Sequence, residues 1–276
     1  MSDDHVYLTL AEGHDDGDAR WAFGTGFEDP LHGVDTAVPE GIDAGALAAC
    51  CLALADDALV CAQRLAEWCT RAPELEEEVA LANIGLDLLG QARLLYARVG
   101  RVDGTGRDED AYAYFRDAGD FRNVRLAELP NGDFAFSIVR LLALSSWRLA
   151  HFQRLASHAD PVLAAIAAKG VNELTYHRQY AAEWAVRLGD GTEESHRRTR
   201  TALDQVAPYL DELFAAHDAR DEVVAVLRQV TEAGGLSLPP WRPLPGAGRD
   251  GEHTAYLAPL LAELQSVARA HPEAAW

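Results

Sequence analysis

Four long stretches of the chain place apolar residues three and four positions apart, which is the period of an α-helix buried along one face. Turn and cap signals separate these stretches, among them Pro73, Gly100 and Asn131-Gly132-Asp133. Strand-like alternation occurs nowhere at length in the sequence. The chain is therefore predicted to be all-α, with long helices at 46–71, 73–99, 133–157 and 161–188.

Four long helices with one long connection, here 100–132, are typical of a ferritin-like four-helix bundle. Shorter helices are predicted beyond the bundle, at 193–217 with a bend at Pro208, at 221–233 and at 254–270. We therefore predict one ferritin-like helical domain over 46–276, in which the core bundle is 46–188 and the extra C-terminal helices are 193–276.

The first 45 residues differ in character from the rest. They hold eleven acidic residues against one arginine, Arg20, and they are rich in Gly, Asp and Pro without helical periodicity. We predict an acidic, irregular N-terminal arm over 1–45. The whole chain has a net charge of −20, which argues against binding to nucleic acid, because phosphates require a basic surface.

The sequence also predicts a cytoplasmic protein without a membrane span. The first residues show no secretion signal, and no apolar run approaches the roughly 20 residues that a transmembrane helix requires. All four cysteines fall on one predicted helix, at spacings that match no zinc site. We expect them to be free thiols in a reducing compartment.

Acidic residues lie where a di-iron bundle would need them, but their histidines are missing. A ferritin-like di-iron site takes one carboxylate from each of two helices and a Glu-x-x-His pair from each of the other two. Here Asp87 and Glu173 are followed three residues later by Gly90 and Tyr176. His177 comes one residue too late, which turns its ring by about 100° around the helix. In this chain, the positions that correspond to the ligands of a di-iron site are Asp57, Asp87, Gly90, Ser145, Glu173, Tyr176 and His177.

These positions predict no working metal site, since one bridging carboxylate and both imidazoles are absent. The favoured interpretation is a buried hydrogen-bonded network, because an isolated buried charge is very costly. Its expected partners are Gln91, Arg140, Tyr176 and His177. A degenerate metal site, or partial exposure of some of these groups, remains open. We therefore predict no catalytic, cofactor-binding or metal-binding residue in this chain.

One intact Glu-x-x-His does occur, at Glu193-Glu194-Ser195-His196. It opens a predicted helix directly after Thr192. Acidic residues in a first turn favour the positive end of the helix dipole, and a threonine before them is a common N-cap. We therefore interpret this motif as helix capping.

Several strings of residues, in one order, resemble a known family. They include Leu54–Val60, Ala80–Arg93, Pro130–Ala135 and Arg187–Arg198, and the likeness runs from about residue 46 to Trp276. The chain resembles the C subunits of the bacterial phenylacetyl-CoA epoxidases, which are multicomponent ring oxygenases. The acidic arm is longer than this resemblance leads us to expect.

The resemblance implies a structural, non-catalytic ferritin-like subunit of phenylacetate catabolism. Its partner would be a homologous catalytic subunit that holds the di-iron centre and binds phenylacetyl-CoA. A small B subunit and a reductase would complete the NADPH-dependent monooxygenase complex, and no cofactor is expected in this chain. Such a subunit should expose an apolar helical face to its partner. The alternatives are an iron-binding ferritin-like oxygenase acting by itself and an acidic helical scaffold unrelated to oxygenation.

Overall fold

The computed structural model describes residues 31–274, and no strand occurs within that range. The all-α prediction is confirmed. Short 3-10 turns lie at Ala118–Asp120, Ala207–Tyr209 and Gly248–Asp250. The helices in this range are α1 Ala44–Ala66, α2 Leu75–Val102, α3 Glu109–Tyr114, α4 Arg125–Glu128, α5 Phe134–Leu155, α6 Pro161–Gly189, α7 Glu193–Val206, α8 Leu210–Ala216, α9 Arg220–Ala233, α10 Leu257–Leu264 and α11 Ser266–Ala270.

The four long helices form the bundle that the sequence predicts. Helix α1 packs along α2 and helix α5 along α6, each pair joined by a short connection, and α2 also contacts α6. Helices α7 and α9 pack on α5 and α6. The crossover between the two hairpins contains α3 and α4 and brings Phe121 and Val124 into the core, where neither has measurable exposure.

Local signals determine where α5 and α6 begin. The Asp133 side chain accepts a hydrogen bond from Phe136 N at 2.9 Å, and Asp160, followed by Pro161, accepts one from Leu163 N at 2.8 Å. Both predicted starts are confirmed. The predicted bend at Pro208 is also confirmed, as the 3-10 turn between α7 and α8.

The end of the first helix was predicted too late. Helix α1 ends at Ala66 rather than at residue 71, and Thr70 in the following turn has a positive φ of 64°. Glu78 in the first turns of α2 accepts a hydrogen bond from Thr70 N at 2.9 Å. This contact with the next helix stabilises a turn where the local sequence alone favours helix.

Residues 1–30 of the predicted arm lie outside the described part of the chain. The remainder of the arm contacts the bundle, since Leu31, Val34 and Ile42 pack against the core. Arg98 on α2 donates a hydrogen bond to Thr36 O at 2.6 Å. The last third of the arm is therefore held by the bundle core and by Arg98 on α2.

Helix α1 is long and apolar enough, by length and composition alone, to cross a membrane, contrary to the expectation from the length of the apolar runs. Its apolar residues have another explanation in the fold. They face α2 and the bundle core, and the helix also carries the buried Asp56 and Asp57. This is the composition of a core helix with buried carboxylates.

Candidate functional site

Three of the seven predicted site positions meet at one cavity in the centre of the bundle. Helix α1 contributes Asp57, α5 contributes Ser145 and α6 contributes His177. The cavity has a volume of about 30 Å³, which is room for about one or two water molecules. Leucines from α2, α5 and α6 form its apolar walls.

Asp57 is bound by an arginine from the C-terminal segment. Arg249, in the 3-10 turn Gly248–Asp250, donates to the two carboxylate oxygens at 2.9 and 2.6 Å. Val124 N donates to the same carboxylate at 2.8 Å. Burial opposes the charge of the guanidinium, but attraction to Asp57 outweighs it, and the pKa of Arg249 is raised. The carboxylate is therefore neutralised by the protein's own cation.

The neighbouring Asp56 turns to a different set of partners. It accepts a hydrogen bond from Tyr96 Oη at 2.5 Å and from Arg122 N at 2.8 Å. Arg116 forms an ion pair with it. The carboxylate has no measurable exposure, so these bonds replace its water shell. Asp56 therefore attaches α1 to α2 and to the crossover.

Asp87 and His177 form a pair across α2 and α6. The His177 Nε2 lies 2.9 Å from Asp87 Oδ2. The imidazole is buried, whereas the aspartate side chain is 38% exposed. His177 Nδ1 finds no hydrogen-bond partner within residues 31–274. The predicted role of His177 as a partner in a polar network is thus confirmed.

Glu173 begins a polar chain that crosses the bundle. Its carboxylate accepts from Lys169 Nζ at 2.5 Å and from Gln91 Nε2 at 2.8 Å. The Gln91 Oε1 in turn accepts from Arg148 Nε at 3.0 Å, and Arg148 Nη1 donates to Leu54 O. The predicted partner Gln91 is confirmed. Lys169 and Arg148 were not anticipated.

Two predicted network members lie elsewhere. Tyr176 is 48% exposed, so the expectation that it points into the bundle is wrong, and position 177 is the inward one. Arg140 donates to Leu129 O and to Asn131 Oδ1 and forms no contact with Asp87 or Glu173. Gly90 supplies no side chain, and a Cβ placed there would meet no atom within 4 Å.

These residues do not fit a di-iron centre. Iron would need carboxylate oxygens and imidazole nitrogens that are free to bind it. Asp57 and Glu173 instead hold the cationic side chains of Arg249 and Lys169, and Asp87 is hydrogen-bonded to His177. Between residues 31 and 274 no group of three His, Cys, Asp or Glu side chains is arranged to hold a metal ion.

The intact Glu-x-x-His motif is a helix start, as predicted. Thr192 caps α7 by accepting from Ser195 N at 3.1 Å. His196 Nδ1 lies 2.7 Å from Gly189 O, and Glu194 pairs with Arg197 and Arg198. The motif therefore contributes to local capping and to surface ion pairs.

The arginine partners of Asp56 and Asp57 were not predicted from the sequence. Arg249 lies 192 residues from Asp57 in a segment that reads as loop. Its placement depends on Gly248, where a Cβ would overlap Asn123 O. The sequence offered one signal that pointed to Arg249, namely the glycine beside it in a Pro- and Gly-rich segment. It gave no indication that the partner of Arg249 is Asp57.

Another buried acid, Glu128, holds the segment that follows Arg249. It accepts from Thr254 N at 2.7 Å and from Asn123 Nδ2 at 2.9 Å, and His253 Nδ1 lies 2.6 Å from its Oε1. Burial lowers the pKa of His253, but the bonds to Glu128 and to Phe121 O raise it overall. Buried carboxylates thus hold the C-terminal segment at several points, including Arg249 and Thr254.

Comparison with known proteins agrees with the resemblance seen in the sequence. A family model described as "Phenylacetic acid catabolic protein" matches residues 35–276. The C subunit of the 1,2-phenylacetyl-CoA epoxidase of Escherichia coli (strain K12) is 41% identical over 246 residues, which cover 83% of this chain and 99% of that protein. The chain therefore belongs to the phenylacetic acid catabolic protein family.

Proposed function

We propose that this chain is the structural, non-catalytic subunit of a ring epoxidase acting on phenylacetyl-CoA. Its partner would be a homologous subunit that carries the di-iron centre and the substrate, with a small B subunit and an NADPH-dependent reductase completing a cytoplasmic complex. The E. coli relative is named as one subunit of such an epoxidase. This proposal assigns the chain an assembly role rather than a chemical step.

The observation that carries the proposal is the ion pair that Asp57 forms with Arg249 at the bundle centre. Binding iron at Asp57 would require breaking its ion pair with Arg249, whose partly buried guanidinium would then lose its carboxylate. Removing one partner of a buried ion pair costs about 3–5 kcal/mol. Glu173 is also paired, with Lys169 and Gln91, but the Lys169 side chain is 36% exposed, so this ion pair contributes less. The fold therefore favours the ion-paired state over the metal-bound one.

An exposed apolar stripe on α2 supports the assembly role. Leu75, Val79 and Leu86 are 71%, 52% and 64% exposed, and their spacing of four and seven places them on one face of the helix. Tyr176 is exposed on α6, the helix that contacts α2. Single exposed apolar residues need no explanation, but an aligned set is typical of a protein interface. We assign this surface, called here the α2 stripe, to the catalytic subunit.

The first experiment measures iron in the chain purified alone and in its complex with the catalytic subunit, both from iron-replete cells. We expect near zero iron per isolated chain and about two per heterodimer, as a di-iron site requires. About two irons per isolated chain would refute the structural role and favour an iron-binding oxygenase acting by itself.

The second experiment tests assembly through the α2 stripe. Leu86→Arg should abolish co-purification with the catalytic subunit and its turnover, while the helical circular dichroism remains unchanged, because the charge would be buried at the interface. Val267→Arg, at a similarly exposed apolar residue on α11, is the matched control and should assemble normally. If the wild-type chain fails to bind the catalytic subunit, the acidic scaffold becomes the better interpretation.

A further inference from the structure

The central cavity has an apolar interior, although several of its wall residues are polar. The surface that a molecule inside it could touch is almost entirely apolar. Every wall residue except Cys61 is buried. Each of the four long helices contributes leucine to the wall, and these residues are Leu65, Leu88, Leu141, Leu144 and Leu174.

The polar wall residues direct their polar atoms away from the cavity. Asp57 is held by Arg249. Arg140 and Arg148 donate to backbone carbonyls of the crossover and of α1. Three further polar atoms of the wall have no hydrogen-bond partner in the described part of the chain but also almost no accessible surface, namely Arg148 Nη2, Trp147 Nε1 and His177 Nδ1. A molecule in the cavity therefore meets carbon rather than donors or acceptors.

An interior of this kind excludes water and favours a nonpolar guest. A buried water molecule needs about two to four polar partners, and the accessible surface of the cavity offers almost none. Apolar cavities in proteins stay dry and take up nonpolar molecules such as xenon. An empty cavity also leaves its lining without dispersion contacts on one side, and a nonpolar guest restores those contacts.

The volume of the cavity limits the size of this guest. It is about 30 Å³, which is room for about two water-sized spheres. That corresponds to a diatomic gas molecule or to a single xenon atom. An aromatic ring such as benzene needs a cavity of about 150 Å³ and is excluded.

The thiol in the wall is not in its reactive form. Burial raises the pKa of Cys61 to about 12, so the thiol is protonated at neutral pH. Thiols are oxidised mainly as thiolates. Dioxygen in the cavity would therefore lie beside Cys61 without oxidising it.

We propose that the central cavity binds a nonpolar diatomic gas, such as dioxygen, against Leu88, Leu144 and Leu174. The binding is reversible and depends on dispersion contacts with the apolar wall. The inference concerns this chain alone and holds whether or not the proposed epoxidase assembly is correct.

Nuclear magnetic resonance tests the proposal directly, because dioxygen is paramagnetic and speeds the relaxation of nearby protons. The full chain is labelled with carbon-13 at its leucine methyl groups, and spectra under oxygen and under nitrogen at equal pressure are compared. The relaxation rates of Leu88, Leu144 and Leu174 should rise several-fold more than those of Leu213 and Leu227, which are buried but do not line the cavity. Equal increases at all five residues would overturn the proposal.

Two variants at one wall position locate the effect. Ser145→Leu places a larger side chain at the cavity and should abolish the additional relaxation at Leu88 and Leu174. Ser145→Ala is the matched control, which leaves the cavity open and should keep the full effect. Additional relaxation that persists in folded Ser145→Leu would place dioxygen elsewhere and refute this site.

Xenon provides a test that needs no variant. Crystals of the wild-type chain pressurised with xenon should show an anomalous peak in the cavity, beside Leu88 and Leu144. Crystals kept at atmospheric pressure should show no ordered water at that position. Ordered water in the cavity, or the absence of a xenon peak, would refute the proposal.

Discussion

The ion pair between Asp57 and Arg249 allows the most direct test of how the bundle centre is held together. Arg249→Met keeps the aliphatic part of the side chain but removes the cation that binds both oxygens of Asp57. The Asp57 side chain is 3% exposed and that of Arg249 is 20% exposed. Breaking a buried pair by removing one partner costs about 3–5 kcal/mol, since it leaves an uncompensated charge.

The structure places the expected loss near the lower end of that range. Asp57 would retain the hydrogen bond from Val124 N at 2.8 Å, and water can reach the partly exposed position of Arg249. We therefore expect the free energy of unfolding to fall by about 3 kcal/mol. Urea unfolding followed by circular dichroism measures this loss as a shift in midpoint at constant slope.

A double-mutant cycle separates the ion pair from general damage. Asp57→Asn combined with Arg249→Met should be more stable than the sum of the two single changes predicts, by about 1–3 kcal/mol, because the two groups interact directly. Arg93→Met, which removes an exposed arginine paired with Glu109, is the control and should change stability little. A loss below about 1 kcal/mol in Arg249→Met, or no coupling in the cycle, would refute the reasoning.

Two further predictions concern pH and packing. The pKa of His253 is raised by its bonds to Glu128 and to a backbone carbonyl, against the effect of burial. The charged imidazole therefore contributes its full stability below the unfolded-state pKa of about 6.5, and this contribution is lost as pH rises through the raised pKa of the folded state. Urea midpoints should fall as the pH rises above about 6.5 in the wild type and fall less in His253→Gln, and an equal fall in both would contradict this. Gly170→Ala should destabilise the fold by about 1–3 kcal/mol, because its Cβ would lie 2.6 Å from the buried Phe152 ring. Gly90→Ala, in an equally central helical position with no atom within 4 Å of its Cβ, should instead stabilise by up to about 1 kcal/mol, and a loss in both variants would contradict the packing argument.

The sequence alone was sufficient to predict the long helices, because the patterns that indicate a helix lie within the helix itself. The period of apolar residues is repeated along each helix, and caps such as Asp133 and Pro161 act within one turn of their own position. The late end predicted for α1 shows the limit of such local signals. The turn at Thr70 depends on Glu78 in the next helix, and no local pattern contains that contact.

The candidate site was harder to predict, for two different reasons. The orientation of His177 could have been found, because Leu174, His177, Ala181 and Ala185 are all buried and follow the helical period. The di-iron motif drew attention to Tyr176 instead, which is on the outer face. The partner of Asp57 could not have been found, since Arg249 reaches it only through the packing of a C-terminal turn against the crossover.

The adjacent acids Asp56 and Asp57 suggest how a bundle of this kind can fold without metal. One holds the crossover through Arg116 and the other holds the C-terminal turn through Arg249, so both carboxylates join segments that are distant in sequence. A metal ion can supply the same positive charge, but then the free energy of folding depends on metal binding. The guanidinium groups of Arg116 and Arg249 belong to the chain itself and supply this positive charge without a metal ion. We therefore expect this chain to reach its folded form at any iron concentration, which agrees with the structural role proposed for it.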